Sequence, residues 1–140
     1  MQENEEKKKY LNGYIYSQRK INLLTEQISE LRSNKMFPSV NNDGMPHGSG
    51  ISDLSGYAAR LDELINQLEA EKDAAIQKRK EIRGQIQAMV DETEKEVLER
   101  KYLLNERWEV IAVHMNYTYR HVTRLHGLAL QHFSLPEKMS

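Results

Sequence analysis

Two arginines and four histidines stand in one stretch of this chain that holds no carboxylate. They are His114, Arg120, His121, Arg124, His126 and His132, and no Asp or Glu lies between Glu109 and Glu137. Elsewhere acids are frequent, 21 of 140 residues. Such residues suit two kinds of chemistry. Histidines can ligate a metal, but these follow at intervals of 7, 5 and 6, and a helical metal site needs an i, i+3 or i, i+4 pair. The second is recognition of phosphate. A surface that lies against a dense row of phosphates repels carboxylates and favours Arg and His. On this reading Arg120 and Arg124 contact guanine or phosphate. Tyr119, His121 and Thr123 support them, with tyrosine hydroxyls donating to phosphate oxygens. Lys101 and Arg107 touch flanking phosphates.

These residues need elements to aim them. Thr118 is a good N-cap, because its hydroxyl accepts an orphan N–H of the first turn. It predicts a helix running to about Phe133, with Val122, Leu125, Leu128, Ala129 and Leu130 on its apolar side. Before it, Asn116-Tyr117 reads as a turn and residues 106–115 as a short helix carrying Trp108, Ile111, Ala112 and Met115. An earlier amphipathic helix covers 92–104, with Val97, Leu98 and Tyr102. Asp91 followed by Glu94 is close to a capping box, and Asn105 reads as a cap that interrupts the chain. The two helices around Met115-Asn116-Tyr117 have helix-turn-helix proportions. Their shared core would be Ile111, Met115, Val122 and Leu125, with Ala112 where they cross. Thr118, Tyr119, Arg120, His121, Thr123 and Arg124 then hold the positions that meet base edges and phosphates. Trp108 is read as a core anchor, and His114 and His132 as surface residues or helix-end partners.

Upstream, the pattern is longer in period and simpler. Tyr10, Tyr14, Ser17, Ile21, Leu24, Ile28 and Leu31 step 4-3-4-3-4-3, the heptad seam of a coiled coil. Gly13 weakens the start of that helix. Residues 36–52 hold two Pro, three Gly and an N-N-D-G turn signal, so they read as a long connecting loop. Their G-x-x-x-G-x-G pattern lacks the preceding strand and the Lys-Ser/Thr pair of a phosphate loop. From Asp53, with Ser52 or Asp53 as cap, a second seam runs through Leu54, Ala58, Leu61, Ile65, Leu68, Lys72, Ala75, Arg79, Ile82, Ile86 and Met89. Each helix alone is a narrow stripe that needs a partner. The expected fold is all-α: a long antiparallel two-helix arm over 1–90, then a small helix-turn-helix domain over 91–140. The arm's partner is its own second helix, a second chain, or both.

Composition limits the alternatives. With 39% hydrophobic and 29% charged residues, the chain suits long helices with wet faces. A net charge of -1 means that attraction to nucleic acid must be local. The absence of Cys excludes disulfides, thiolate zinc sites and a Cys nucleophile, and fits a reducing cytosol. The N-terminus lacks a signal-peptide h-region, and no run of the chain has transmembrane length. No cofactor pattern and no Ser/His/Asp set is present, so an enzyme is not expected. The acids of the long helices alternate with bases, as on solvated faces.

The stretch from Glu99-Arg100-Lys101-Tyr102 through Trp108-Glu109-Val110-Ile111-Ala112 to Val122-Thr123-Arg124-Leu125-His126-Gly127-Leu128-Ala129-Leu130 resembles small proteins of Gram-positive phages and prophages. They are late-gene transcription regulators of the ArpU and RinA type. Upstream, Tyr10-Leu11-Asn12-Gly13-Tyr14, Glu30-Leu31-Arg32 and the loop Asp43 to Gly50 are similar to the same family. The resemblance implies a C-terminal unit like region 4 of sigma-70 factors, double-stranded promoter DNA as partner, and a bacterial cytoplasm. Two departures from the family pattern are Lys101-Tyr102 in place of Arg-Tyr, and a last helix that starts at Thr118 with only two arginines. They imply weak binding by a single module, which a homodimer through the arm would raise. The alternative expectation is a phage DNA-packaging protein of small-terminase type, or an adaptor that binds RNA polymerase.

Overall fold

A computed structural model of the chain describes residues 2–36 and 50–137. Among these residues it holds six helices and no strand. They are α1 (Gln2–Leu11), α2 (Gly13–Met36), α3 (Gly50–Gln87), α4 (Glu92–Tyr102), α5 (Trp108–Met115) and α6 (Tyr119–His132). No described helix is long and apolar enough to cross a membrane. The all-helical class follows the two heptad seams and the short amphipathic stretches behind them. The expected loop lies mostly at 37–49, outside the described residues. Because α3 begins at Gly50, Ser52 and Asp53 lie inside its first turn, not ahead of it as caps.

The chain divides into two compact units, Met1–Ser17 with Ala75–Ser140, and Gln18–Ala74. The boundary expected at residue 90, with the whole N-terminus in the arm, differs from this division. In the structure, residues 1–17 and 75–90 are part of the unit that carries α4, α5 and α6.

That first unit is built around one apolar core. Leu11 of α1, Ile82 and Ile86 of α3, Leu98 and Tyr102 of α4, Ala129 and Leu130 of α6, and Phe133 pack together, with Met89 and Leu103. Leu11, Ile82, Ile86 and Leu98 are fully buried. Burying a Leu or Ile side chain stabilises by roughly 1.5–3 kcal/mol, so α1 is held by more than its own propensity. The break between α1 and α2 falls at Asn12-Gly13. A Cβ at Gly13 would lie 3.0 Å from Lys78 Cε, so the missing side chain lets the Lys78 stem cross closely. The predicted single helix is thus divided at Gly13, which also leaves room for the Lys78 side chain.

Asp91 caps α4 as expected, its carboxylate accepting from the Glu94 N–H at 3.0 Å. The box is not reciprocal. The buried Glu94 carboxylate turns to His132 Nδ1 at the end of α6. Asn105 is not a cap: α4 ends with Leu103 as C-cap, and Asn105 takes a left-handed conformation (φ 55°) in the connection. The next helix starts at Trp108, not Glu106, with Arg107 as its N-cap. Arg100 fixes this corner, donating to Glu96 at 2.7 Å and to Glu106 at 3.1 Å.

In the second unit α2 and α3 lie side by side. Lys20, Leu23 and Leu24 share a groove with Gln67, Ala70 and Glu71, and Thr25, Ile28 and Arg32 share another with Leu68. The α2 seam is covered along its whole predicted length, with Ile28 buried. On α3 the predicted seam is covered at Leu61, Ile65, Leu68, Ala75, Ile82, Ile86 and Met89. At two positions it differs by one residue, with Glu71 and Lys78 covered in place of Lys72 and Arg79, and Leu64 is buried beside Ile65. Lys72 and Arg79 stand exposed, as do Leu54 and Ala58 at the start.

Candidate nucleic-acid interface

The short helix α5 must stop and turn before α6 can begin, and three residues do this. Asn116 takes the left-handed conformation (φ 59°) as the C-cap of α5, its N–H directed to the carbonyls of Ala112 and Val113. Asn tolerates this region better than other non-glycine residues. The Tyr117 N–H donates to the Ala112 carbonyl at 3.0 Å. Thr118 is extended, and its hydroxyl accepts from the His121 N–H at 3.1 Å. The predicted turn and cap are both present.

Beneath the turn, Ile111, Ala112 and Val122 are buried together, with Trp108 and Met115 packed against them. Ile111 and Val122 serve the shared core as expected. Met115 is partly covered, and so is Leu125. The buried stripe of α6 differs from the expected one at two positions. Leu128 is exposed, and His126 is buried in the row with Val122, Ala129 and Leu130. Its ring lies edge-on to Trp108, with centroids 4.6 Å apart, and its Nε2 is 2.6 Å from the Tyr102 hydroxyl. Burial, then the nearby Lys8 and Lys101 ammoniums, push the His126 pKa down to about 4. The ring is therefore neutral at physiological pH, and in its Nδ1–H tautomer Nε2 accepts from the hydroxyl. The Tyr102 hydroxyl is pushed above its ordinary range, first by burial and then by Glu5, and stays protonated.

Five of the predicted residues come together on α6. Thr118, Arg120, His121, Thr123 and Arg124 line one open depression. Arg120 and Arg124 are exposed, and among the described residues neither has an ion pair. Thr123 donates its hydroxyl to the Arg120 carbonyl at 3.0 Å. His121 meets the edge of Tyr117, centroids 4.7 Å apart. Tyr119 is exposed at the helix start but does not line the depression. Lys101 and Arg107 do not line it either. The Lys101 ammonium sits 4.5 Å from the centre of the Trp108 ring, a cation–π contact, and Arg107 is exposed at the start of α5 without a side-chain capping bond.

The histidines outside this surface have structural partners. His114 Nδ1 lies 3.1 Å from Glu106 Oε1, and His132 pairs with Glu94. Among the described residues no group of three or more His, Cys, Asp or Glu could hold a metal ion.

One residue that positions the site left no local signal. Lys7 of α1 is buried, and its ammonium donates to the Leu130 carbonyl at 2.8 Å. The last carbonyls of a helix lack intrahelical donors, and a cation there complements the helix dipole. Lys7 supplies both from 123 residues away. Lys8, one residue on, adds its positive charge to the surroundings of His126 from the same helix. His126 could have been found, because it falls four residues after Val122 and three before Ala129.

No protein-family model, no curated protein and no solved structure matches the chain.

Proposed function

We propose that this chain is a phage-type, sequence-specific DNA-binding transcriptional regulator. Its α5–α6 pair acts as a helix-turn-helix similar to region 4 of sigma-70 factors, with α6 in the major groove. One observation carries the reading: α6 presents Arg120 and Arg124, exposed and unpaired among the described residues, on a helix with no acid at all. An arginine left without a carboxylate in a chain rich in carboxylates is available to an external anion. At i, i+4 the two guanidiniums share one face, within reach of guanine O6 and N7 or of phosphate oxygens. Tyr119, His121, Thr123 and the Thr118 end of the helix add hydrogen bonds to the backbone. Lys101 and Arg107 contact flanking phosphates. A module that neutralises about three phosphates binds weakly and loses affinity as salt rises. A homodimer through the two-helix arm would hold two modules on one duplex and raise avidity. The likeness of the C-terminal stretch to the ArpU and RinA type of regulator supports the same reading.

A second reading has an observation of its own. Val113 is 75% exposed on the outer side of α5, and Val110, one turn earlier, is also exposed. Exposed valines on α5 suit a protein partner such as RNA polymerase. A packaging protein of small-terminase type would instead assemble as a ring.

The deciding experiment is fluorescence anisotropy against the late-promoter DNA of the host phage and a scrambled duplex, over a salt series. Preference for the promoter, lost in Arg120→Ala and Arg124→Ala, is the expected result. Equal binding to both duplexes, or none, would overturn the regulator reading. Mass measurement would then separate a ring from a polymerase adaptor.

A further inference from the structure

Gly127 lies in the interior of α6, where glycine is the weakest helix former after proline. Packing does not ask for it. A Cβ at this position would meet nothing within 4 Å apart from its chain neighbours and its own helix backbone. The backbone does not ask for it either, since Gly127 lies within α6 and its φ is not positive. What singles it out is the face it occupies. Arg120, Arg124, Gly127 and Gln131 follow at i, i+4, i+7 and i+11, one stripe at 3.6 residues per turn. Arg120, Arg124 and Gln131 are exposed, and no acid occurs anywhere in the helix. A helix that lies against a ligand along one stripe comes closest where a side chain is missing.

We infer that double-stranded DNA runs along the whole Arg120–Arg124–Gly127–Gln131 stripe of α6, with Gly127 as the point of closest approach. This rests on the reading of α6 as the DNA-facing helix and extends it. Contact is not confined to the capped N-terminal end; it continues for two more turns, and Gln131 joins the contacting residues. Any side chain at 127 would lift the helix away from the duplex and lengthen the arginine contacts on the same stripe.

The inference makes stability and binding move in opposite directions. Gly127→Ala adds a better helix former in open space, so the unfolding midpoint should rise by about 4 °C. The same variant should bind a labelled mixed-sequence duplex at low salt more weakly. Gly127→Gln, with a longer side chain, should lose about tenfold in affinity. The control is Gly84→Ala on α3, also a helical glycine in open space, which should raise the midpoint and leave binding unchanged. Wild-type affinity in both Gly127 variants would overturn the close approach while leaving α6 as the DNA-binding helix. A fall in the midpoint of Gly127→Ala would show that the position serves packing within the chain, and would overturn the inference too. No duplex binding by the wild-type chain would remove the underlying reading and this one with it.

Discussion

The Lys7 ammonium donates to the Leu130 carbonyl at 2.8 Å, joining the first helix of the chain to the last turn of α6. With the pairing of buried Glu94 and exposed His132, it closes the C-terminal end of the helix that presents Arg120 and Arg124. Thr118 closes the other end. The arginine surface is thus held at its far end by residues that do not belong to it, and at its near end by Thr118, which lines it.

Lys7→Met keeps the aliphatic stem and removes the donor. Hydrogen bonds from charged groups contribute about 1.5–3 kcal/mol, and the variant should lose about that much in urea unfolding. Deleting residues 1–12 should destabilise the unit further, because it also removes Leu11 from the core. An unchanged urea midpoint in Lys7→Met would show that the contact carries no stability.

Below neutrality His126 makes stability depend on pH. Its pKa is pushed down from the usual 6.5 to about 4 in the folded chain. In the unfolded chain the ring takes up a proton near 6.5, which the folded chain refuses until about 4. Stability from this group is therefore full above pH 6.5, falls as pH drops towards about 4, and then levels off. His126→Gln does not titrate and should show a shallower decline over the same window. An NMR titration placing the His126 ring near 6.5 in the folded chain would contradict this.

Thr118 separates capping from charge. Thr118→Ala should cost about 1 kcal/mol through the lost cap. Thr118→Asp keeps a capping oxygen and favours the helix dipole, so stability should be retained. Its new negative charge beside Arg120 should nevertheless weaken duplex binding. Equal DNA affinity for Thr118→Asp and wild type would argue against phosphates near the start of α6.

The slope of log affinity against log salt counts phosphate contacts. Arg120→Ala and Arg124→Ala should each reduce it by about 1 if the residue touches a phosphate. A residue that reads a guanine should instead relax sequence preference and leave the slope nearer its wild-type value.

The covered side of α3 can be tested away from the arginine surface. Leu64 is 4% exposed, and Leu64→Ala should cost roughly 2–5 kcal/mol. Lys72→Ala, on an exposed position, should stay within about 0.5 kcal/mol of wild type. The opposite ranking would restore the seam read from spacing alone.

The features legible in the sequence are those decided over a few residues. Helical class follows from periodicity, because an apolar stripe repeats within two turns. The caps at Asp91 and Thr118 are legible because each bond spans three residues. The absence of acids around Arg120 and Arg124 needs no fold to be seen, and five of the six α6 residues it pointed to line one depression. What the sequence left open is decided by partners far along the chain. A heptad pattern accepts either of two adjacent residues at alternate positions, so Glu71 or Lys72, and Lys78 or Arg79, satisfy it equally; the face presented by α2 chooses between them. His126 is polar by type, and only the enclosure formed by Tyr102, Trp108 and Lys101 makes it a buried neutral ring. Lys7 is one of three consecutive lysines, and nothing in that run marks one of them for the end of α6. The packing of Leu11 into the core brings α1 against α6, and that long-range burial selects Lys7.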